Sequence, residues 1–160
     1  MVIRRFLVIV LMVLFLTGCS QNSSNFIYEP DKIDMIKIQE VNESNSAVDY
    51  PPIEDLSTIK KIITLIDNIE VKKLSPSEEA KILNNGKKLQ QGGNYFILLI
   101  NTKENDLTKS LYGALIVLKE GKLIFTDPKT MSGKQRTVSY IAANDASDIV
   151  GELLKIIENR

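Results

Sequence analysis

The chain opens on an unbroken apolar run over residues 6–16 and continues through a short polar stretch. From about residue 31 it takes on the mixed hydrophobic periods of a folded unit. Residues 32–41 are rich in Ile and free of Gly and Pro, which predicts a strand, although Met35-Ile36 blurs the alternation. A polar stretch over residues 42–46 and Tyr50-Pro51-Pro52 then break regular structure. Ile53, Leu56, Ile59, Ile63 and Ile66 recur every three or four residues and predict a helix with one apolar stripe, with Asp55 or Ser57 placed to cap its start. Residues 69–74 alternate with charges and predict a short strand. Ser75-Pro76-Ser77-Glu78 is a helix start: Ser75 as N-cap, Pro76 in the first turn and Glu78 completing a capping box, with the helix ending near Asn84-Asn85-Gly86.

Beyond the loop Gln90-Gln91-Gly92-Gly93, residues 95–100 are continuously apolar, the pattern of a central strand covered on both faces. A polar loop over 101–108 leads to a strand over 109–119, and Glu120-Gly121 turns the chain into a partner strand over 122–126. Residues 136–142 alternate, with Val138, Tyr140 and Ala142 on one side. Asp145 or Asn144 then caps a last helix whose stripe is Ala146, Ile149, Val150, Leu153, Leu154 and Ile157. The order β-α-β-α-β-β-β-β-α, with short loops between consecutive strands, predicts an α+β fold. It is a mostly antiparallel sheet of about five to six strands with helices packed on one face.

Length changes this picture little, since 160 residues make one ordinary domain, placed here at 31–160. Charge and residue usage change it more. The 20 basic and 20 acidic side chains balance, and there is no concentrated basic surface of the kind nucleic-acid binding needs. No polybasic patch for anionic lipid heads is present either. The chain has no histidine and a single cysteine, Cys19. An internal disulfide, zinc sites built from Cys and His, and Ser-His-Asp or Cys-His catalytic arrangements are therefore excluded.

The N-terminus is the most specific feature. Arg4 and Arg5 precede the apolar run, whose eleven residues suit the core of a signal peptide and fall short of the ~20 that a spanning helix requires. Leu16-Thr17-Gly18-Cys19 follows at once. These residues resemble the lipobox of bacterial lipoproteins. The resemblance implies a diacylglyceryl thioether on Cys19, recognition of Leu16, Thr17 and Gly18 by a lipoprotein signal peptidase, and cleavage before Cys19. Residues 1–18 are then the signal peptide. A chain of 160 residues less the leading 18 has 142. It loses Arg4 and Arg5 and no acid, which leaves a net charge near −2. Residues 19–30 form the lipidated cysteine and a tether that begins Ser20-Gln21-Asn22-Ser23-Ser24-Asn25, small and polar. Ser20 stands where an inner-membrane sorting signal would place Asp, and heavy use of Ile, Lys and Asn is associated with low-GC Gram-positive bacteria. The expected location is the cell membrane, lipid-anchored and facing outward, with the processing enzymes as transient partners.

The whole layout also resembles the small YhfM-like lipoproteins of Bacillus and relatives: a lipobox, a polar tether, an early amphipathic helix, a strand-rich middle and a terminal helix. That family has no assigned activity, so the resemblance implies no catalytic residue, metal or cofactor.

Within the domain, Ser57-Thr58-Ile59-Lys60 has the Ser-x-x-Lys spacing in which a lysine one turn away helps to deprotonate the hydroxyl. Its usual companions, Ser-Asp-Asn and Lys-Thr-Gly, are absent. Glu78-Glu79 and Asp145/Asp148 are carboxylate pairs, but each falls in the first turn of a helix, where the helix dipole accounts for acidic residues. Asp145 to Asp148 lacks the other ligands of a calcium loop, and Gly133-Lys134 lacks the earlier glycine of a phosphate loop. The segment 127–135 is long for a connection between strands. Lys129, Met131, Lys134 and Arg136 make it the candidate binding loop. The expected function is a non-enzymatic module that binds another envelope protein or a small ligand. A structural or protective envelope or spore component and a Ser-Lys hydrolase are the alternatives.

Overall fold

The computed structural model describes residues 27, 29–41, 44, 46–131 and 137–159. Seven strands form one sheet: β1 (Met35–Val41), β2 (Ala47–Asp49), β3 (Val71–Lys73), β4 (Tyr95–Ile100), β5 (Leu111–Leu118), β6 (Lys122–Thr126) and β7 (Ser139–Ala142). Every pairing is antiparallel, in the order β2-β1-β4-β5-β6-β7-β3. The helices are α1 (Leu56–Asp67), α2 (Pro76–Ile82), the single turns α3 (Leu107–Ser110) and α4 (Pro128–Met131), and α5 (Ser147–Glu158). The fold is α+β, as the pattern predicts, with one strand more than expected. The additional strand is β2, only three residues long and exposed throughout, so it carries no buried alternation by which a sequence could reveal it.

Register assigns the side chains to two faces. On one, Ile36 and Ile38 of β1 lie opposite Leu99 and Ile97 of β4, and Leu115 and Val117 of β5 opposite Phe125 and Leu123 of β6. This face and the two long helices enclose the main core, to which α1 contributes Ile59, Ile62 and Ile66 and α5 contributes Val150, Leu153 and Ile157. The stripe of α1 differs from the predicted one. Ile62 is fully buried in place of Ile63, and Leu56 is 59% exposed because it occupies the first helical position, beyond the edge of the core.

The opposite face carries Ile116, Leu118 and Ile124 under Leu74, Leu83 and Leu89, around α2 and the 3-10 turn Lys87–Gln90. The long helices thus share one face as expected, while the short α2 covers part of the other. That cover is incomplete over β4: Tyr95, Ile97 and Leu99 are buried, and Phe96, Leu98 and Ile100 only half-buried.

Local chemistry closes the elements. Asp55 caps α1 through Thr58 N at 2.9 Å and also accepts from the Ser57 and Thr58 hydroxyls, which hold its carboxyl below the usual range. The capping box at α2 forms as predicted, with Ser75 Oγ accepting from Glu78 N and Glu78 Oε2 accepting from Ser75 N at 2.8 Å. At α5 the cap position is Ala146. Asp145, one residue earlier, accepts from Ser147 N at 3.0 Å and from its hydroxyl at 2.6 Å.

The Glu78 carboxyl is lowered from 4.5 to about 2, by Ser75 first and then by Lys72. A group depressed in the folded state stabilises fully above its unfolded value, and the contribution disappears as pH falls from about 4.5 to about 2. Glu78→Gln keeps a capping side chain without the charge. It is therefore expected to flatten the decline of Tm across that window and leave the shape near pH 7 unchanged, which thermal melts from pH 2 to 7 will show.

The two edges of the sheet are blunted differently. Beyond β1 the outer chain runs through β2 to Tyr50, whose N–H donates to Ile38 O, and on to Ile53, which exchanges both backbone bonds with Ile36 at 2.9 Å. Pro51 and Pro52 interrupt this outer run, and prolines have no N–H to offer a further strand. The other edge, β3, is three residues long and carries Lys72 and Lys73.

Candidate functional site

The loop singled out from the sequence begins as structure. Asp127 N donates to Val138 O at 3.0 Å, Thr130 Oγ1 donates to Asp127 O at 2.8 Å, and Val138 N donates to Thr130 Oγ1 at 3.0 Å. One threonine hydroxyl thus ties both ends of the loop together. Between them the one-turn α4 presents Lys129 and Met131 outward while Pro128 is buried. Lys134 and Arg136 lie outside the described residues, as do Leu16, Thr17, Gly18 and Cys19. The structure accordingly brings Lys129 and Met131 onto one exposed turn and does not bear on the other two.

Ser57 and Lys60 are both exposed on the first turns of α1. The Ser57 hydroxyl donates to the capping carboxylate of Asp55 at 2.6 Å, so its proton is directed to the helix start and not along the helix toward Lys60. Glu79 accepts from the buried Ser139 hydroxyl at 2.9 Å and ties α2 to β7. With Glu78 in the capping box and Asp145 on Ser147, three of the four candidate carboxylates have structural partners. Among the described residues, no three His, Cys, Asp or Glu side chains come together to hold a metal ion.

What the sequence did not reveal is a groove of about 450 Å³ between the start of α1 and the end of α5. Its wall on one side is Pro52, Ile53 and the first turn of α1, and on the other Lys155, Ile156 and Asn159. Ile53, buried, and Ile156, half-buried, are with Pro52 the apolar part of a lining that is otherwise polar or charged. The rim carries both signs, with Glu54 and Asp55 on one wall and Lys61 and Lys155 nearby. Two of these charges are already engaged: Asp55 caps α1, and Lys155 pairs with Glu152 at 2.8 Å. All four are exposed, and Glu54 and Lys61 are the two not engaged in this way. Ile53 and Asn159 are separated by most of the domain, so no local spacing marks the groove in advance.

A second missed cluster lies at the end of β1. Glu40 Oε1 accepts from Gly93 N and Oε2 from the Tyr50 hydroxyl, both at 2.7 Å, and the Tyr50 ring meets Tyr95 edge-on at 5.6 Å between centroids. The bond to Glu40 holds the Tyr50 phenol above its ordinary value, and burial does the same for Tyr95. This arrangement fastens three chain segments together.

Compared with known proteins, the chain matches no family model, no curated protein and no solved structure.

Proposed function

We propose that this chain is a bacterial lipoprotein of the cell envelope, anchored on the outer face of the membrane by lipid on Cys19, and that its domain is a non-enzymatic binding module. The occupant of the groove is a segment of another envelope protein or a small ligand that offers an apolar group to Ile53 and Ile156 and opposite charges to Glu54 and Lys61. The groove carries this reading, since a concavity that sets apolar side chains beside a few charged ones offers a partner both contact area and polar recognition. The engagement of Ser57 by Asp55 supports binding over a Ser-Lys hydrolase, because an activated serine must give its proton to its base. No helix of the described residues is long and apolar enough to cross a membrane.

Crosslinking from within the groove tests the reading. A photoreactive residue at Thr58 in the lipidated protein, in membranes of its own host, is expected to give a discrete adduct absent when the same residue replaces Lys73 on the far edge. The double exchange Glu54→Lys with Lys61→Glu leaves net charge unaltered and should reduce that adduct at least tenfold. Equal yields from Thr58 and Lys73, or indifference to the exchange, would remove the groove as the binding site.

A further inference from the structure

The groove has a polarity, set by the two helices that wall it. Asp55 and Thr58 at the start of α1 share it with Ile156 and Asn159 at the end of α5. Farther along α1, Lys61 lines it together with Lys155. The Glu152 carboxyl, held below its ordinary value by Lys155 first, is lowered by Lys61 as well. The helices therefore pass each other in opposite senses. The groove has a mouth at the start of α1 and an inner end at Lys61.

Most of the charge along this path cancels. Asp55 meets the positive pole of α1 by accepting from Thr58 N, and Lys155 pairs with Glu152 at 2.8 Å. What is left is negative at the mouth, from Glu54 and the carbonyl pole of α5, and positive at the inner end, from Lys61. Asp55 and Lys61 are six residues apart, about 9 Å along a helix axis. Glu54 lies one residue farther out, which sets the two uncancelled charges about 10 Å apart.

We propose that the groove takes a short free peptide of about three residues in extended form. Its ammonium sits at Glu54, its carboxylate at Lys61, and an apolar side chain lies against Ile53 and Ile156. This rests on the reading of the groove as the binding site, and it selects a small ligand over a segment of a folded partner. A cavity of about 450 Å³ has the size of a small-molecule site, whereas a protein partner ordinarily buries about 800 Å² on each side. At about 3.3–3.6 Å per residue, three extended residues hold their terminal charges about 10 Å apart. A single amino acid carries both charges on one carbon and reaches only one end of the groove. Bound the other way round, the peptide would set its carboxylate against Glu54 and the pole of α5, so the chain direction is fixed as well.

The full chain as processed by its host, purified in detergent, would be titrated calorimetrically with the tripeptide Ala-Leu-Ala. Acetylating its amino end, or amidating its carboxyl end, should each weaken binding at least tenfold, and free leucine should bind at least tenfold more weakly too. Glu54→Gln should erase the difference between free and acetylated peptide, and Lys61→Gln the difference between free and amidated peptide. Both side chains are exposed, so the fold tolerates these changes. Absence of binding, or equal binding of free and blocked peptides, would overturn the peptide as occupant. If the Thr58 adduct then still depended on Glu54 and Lys61, the groove would remain a binding site with a different occupant. Loss of that dependence as well would remove the site itself.

Discussion

Cys19→Ser is expected to abolish membrane retention, releasing unlipidated protein or leaving the uncut precursor in place of the mature form. The thioether requires a thiol, and a hydroxyl does not substitute for it in the transfer. At about 0.8 kcal/mol per buried methylene, the two acyl chains of a diacylglyceryl group hold stably where a single myristoyl chain is marginal. The polypeptide has little to offer in their place. The apolar run 6–16 is eleven residues, a length that reaches only about 16 Å at the rise of a helix, against a hydrocarbon core of about 30 Å. Fractionation with electrophoresis of the two forms measures the effect. A serine variant that sedimented and migrated like the wild type would exclude lipid on Cys19 as the anchor.

Gly121→Ala is the most damaging single-methyl change expected in the domain. Leu118 and Lys122 are paired, leaving a three-residue hairpin loop in which Gly121 has φ of +88° and donates its N–H to Leu118 O at 2.9 Å. A side chain there costs about 1–2 kcal/mol for the left-handed backbone alone. Its Cβ would also collide with Ser147 Oγ and come within 3.3 Å of Ser147 Cα. The hydroxyl can rotate away only by leaving Asp145, and the Cα cannot move unless the first turn of α5 moves with it. Overpacking of this kind adds roughly 1–3 kcal/mol. The sum of about 2–5 kcal/mol should appear in denaturant unfolding as a lower midpoint. A Ser147→Gly background should recover the steric part and leave the backbone part, so the two substitutions should not be additive. Stability unchanged by Gly121→Ala would mean that the hairpin and α5 do not pack as described.

What could be read in advance follows the range of each interaction. The capping box Ser75/Glu78, the Glu120-Gly121 hairpin and the strand over 95–100 rest on residues within a few positions of one another, and each lies where the pattern put it. Face assignment was less secure. Ile62 and Ile63 are equivalent as letters, and only the position of the sheet selects Ile62 for the core. The α4 turn was hidden inside a segment that reads as loop, since four residues are too few for a helical period. The groove was illegible for a stronger reason. It exists only because α5 returns beside the first turn of α1, and no spacing encodes that. Leu16-Thr17-Gly18-Cys19, which resembles a lipobox, is the opposite case: the processing proposed for it would act on the linear sequence, and the described residues do not bear on it.

The two prolines beside β2 and the two lysines on β3 bear on how the protein behaves in numbers. A surface tether of the kind proposed at Cys19 would remove a dimension of diffusion, so that neighbours would meet far more often than in solution. An open strand in that situation would be a template for stacking copy upon copy into ribbons. With one flank kept to a three-residue strand and interrupted by two prolines, and the other repelling its own kind, dense populations are expected to stay as separate molecules.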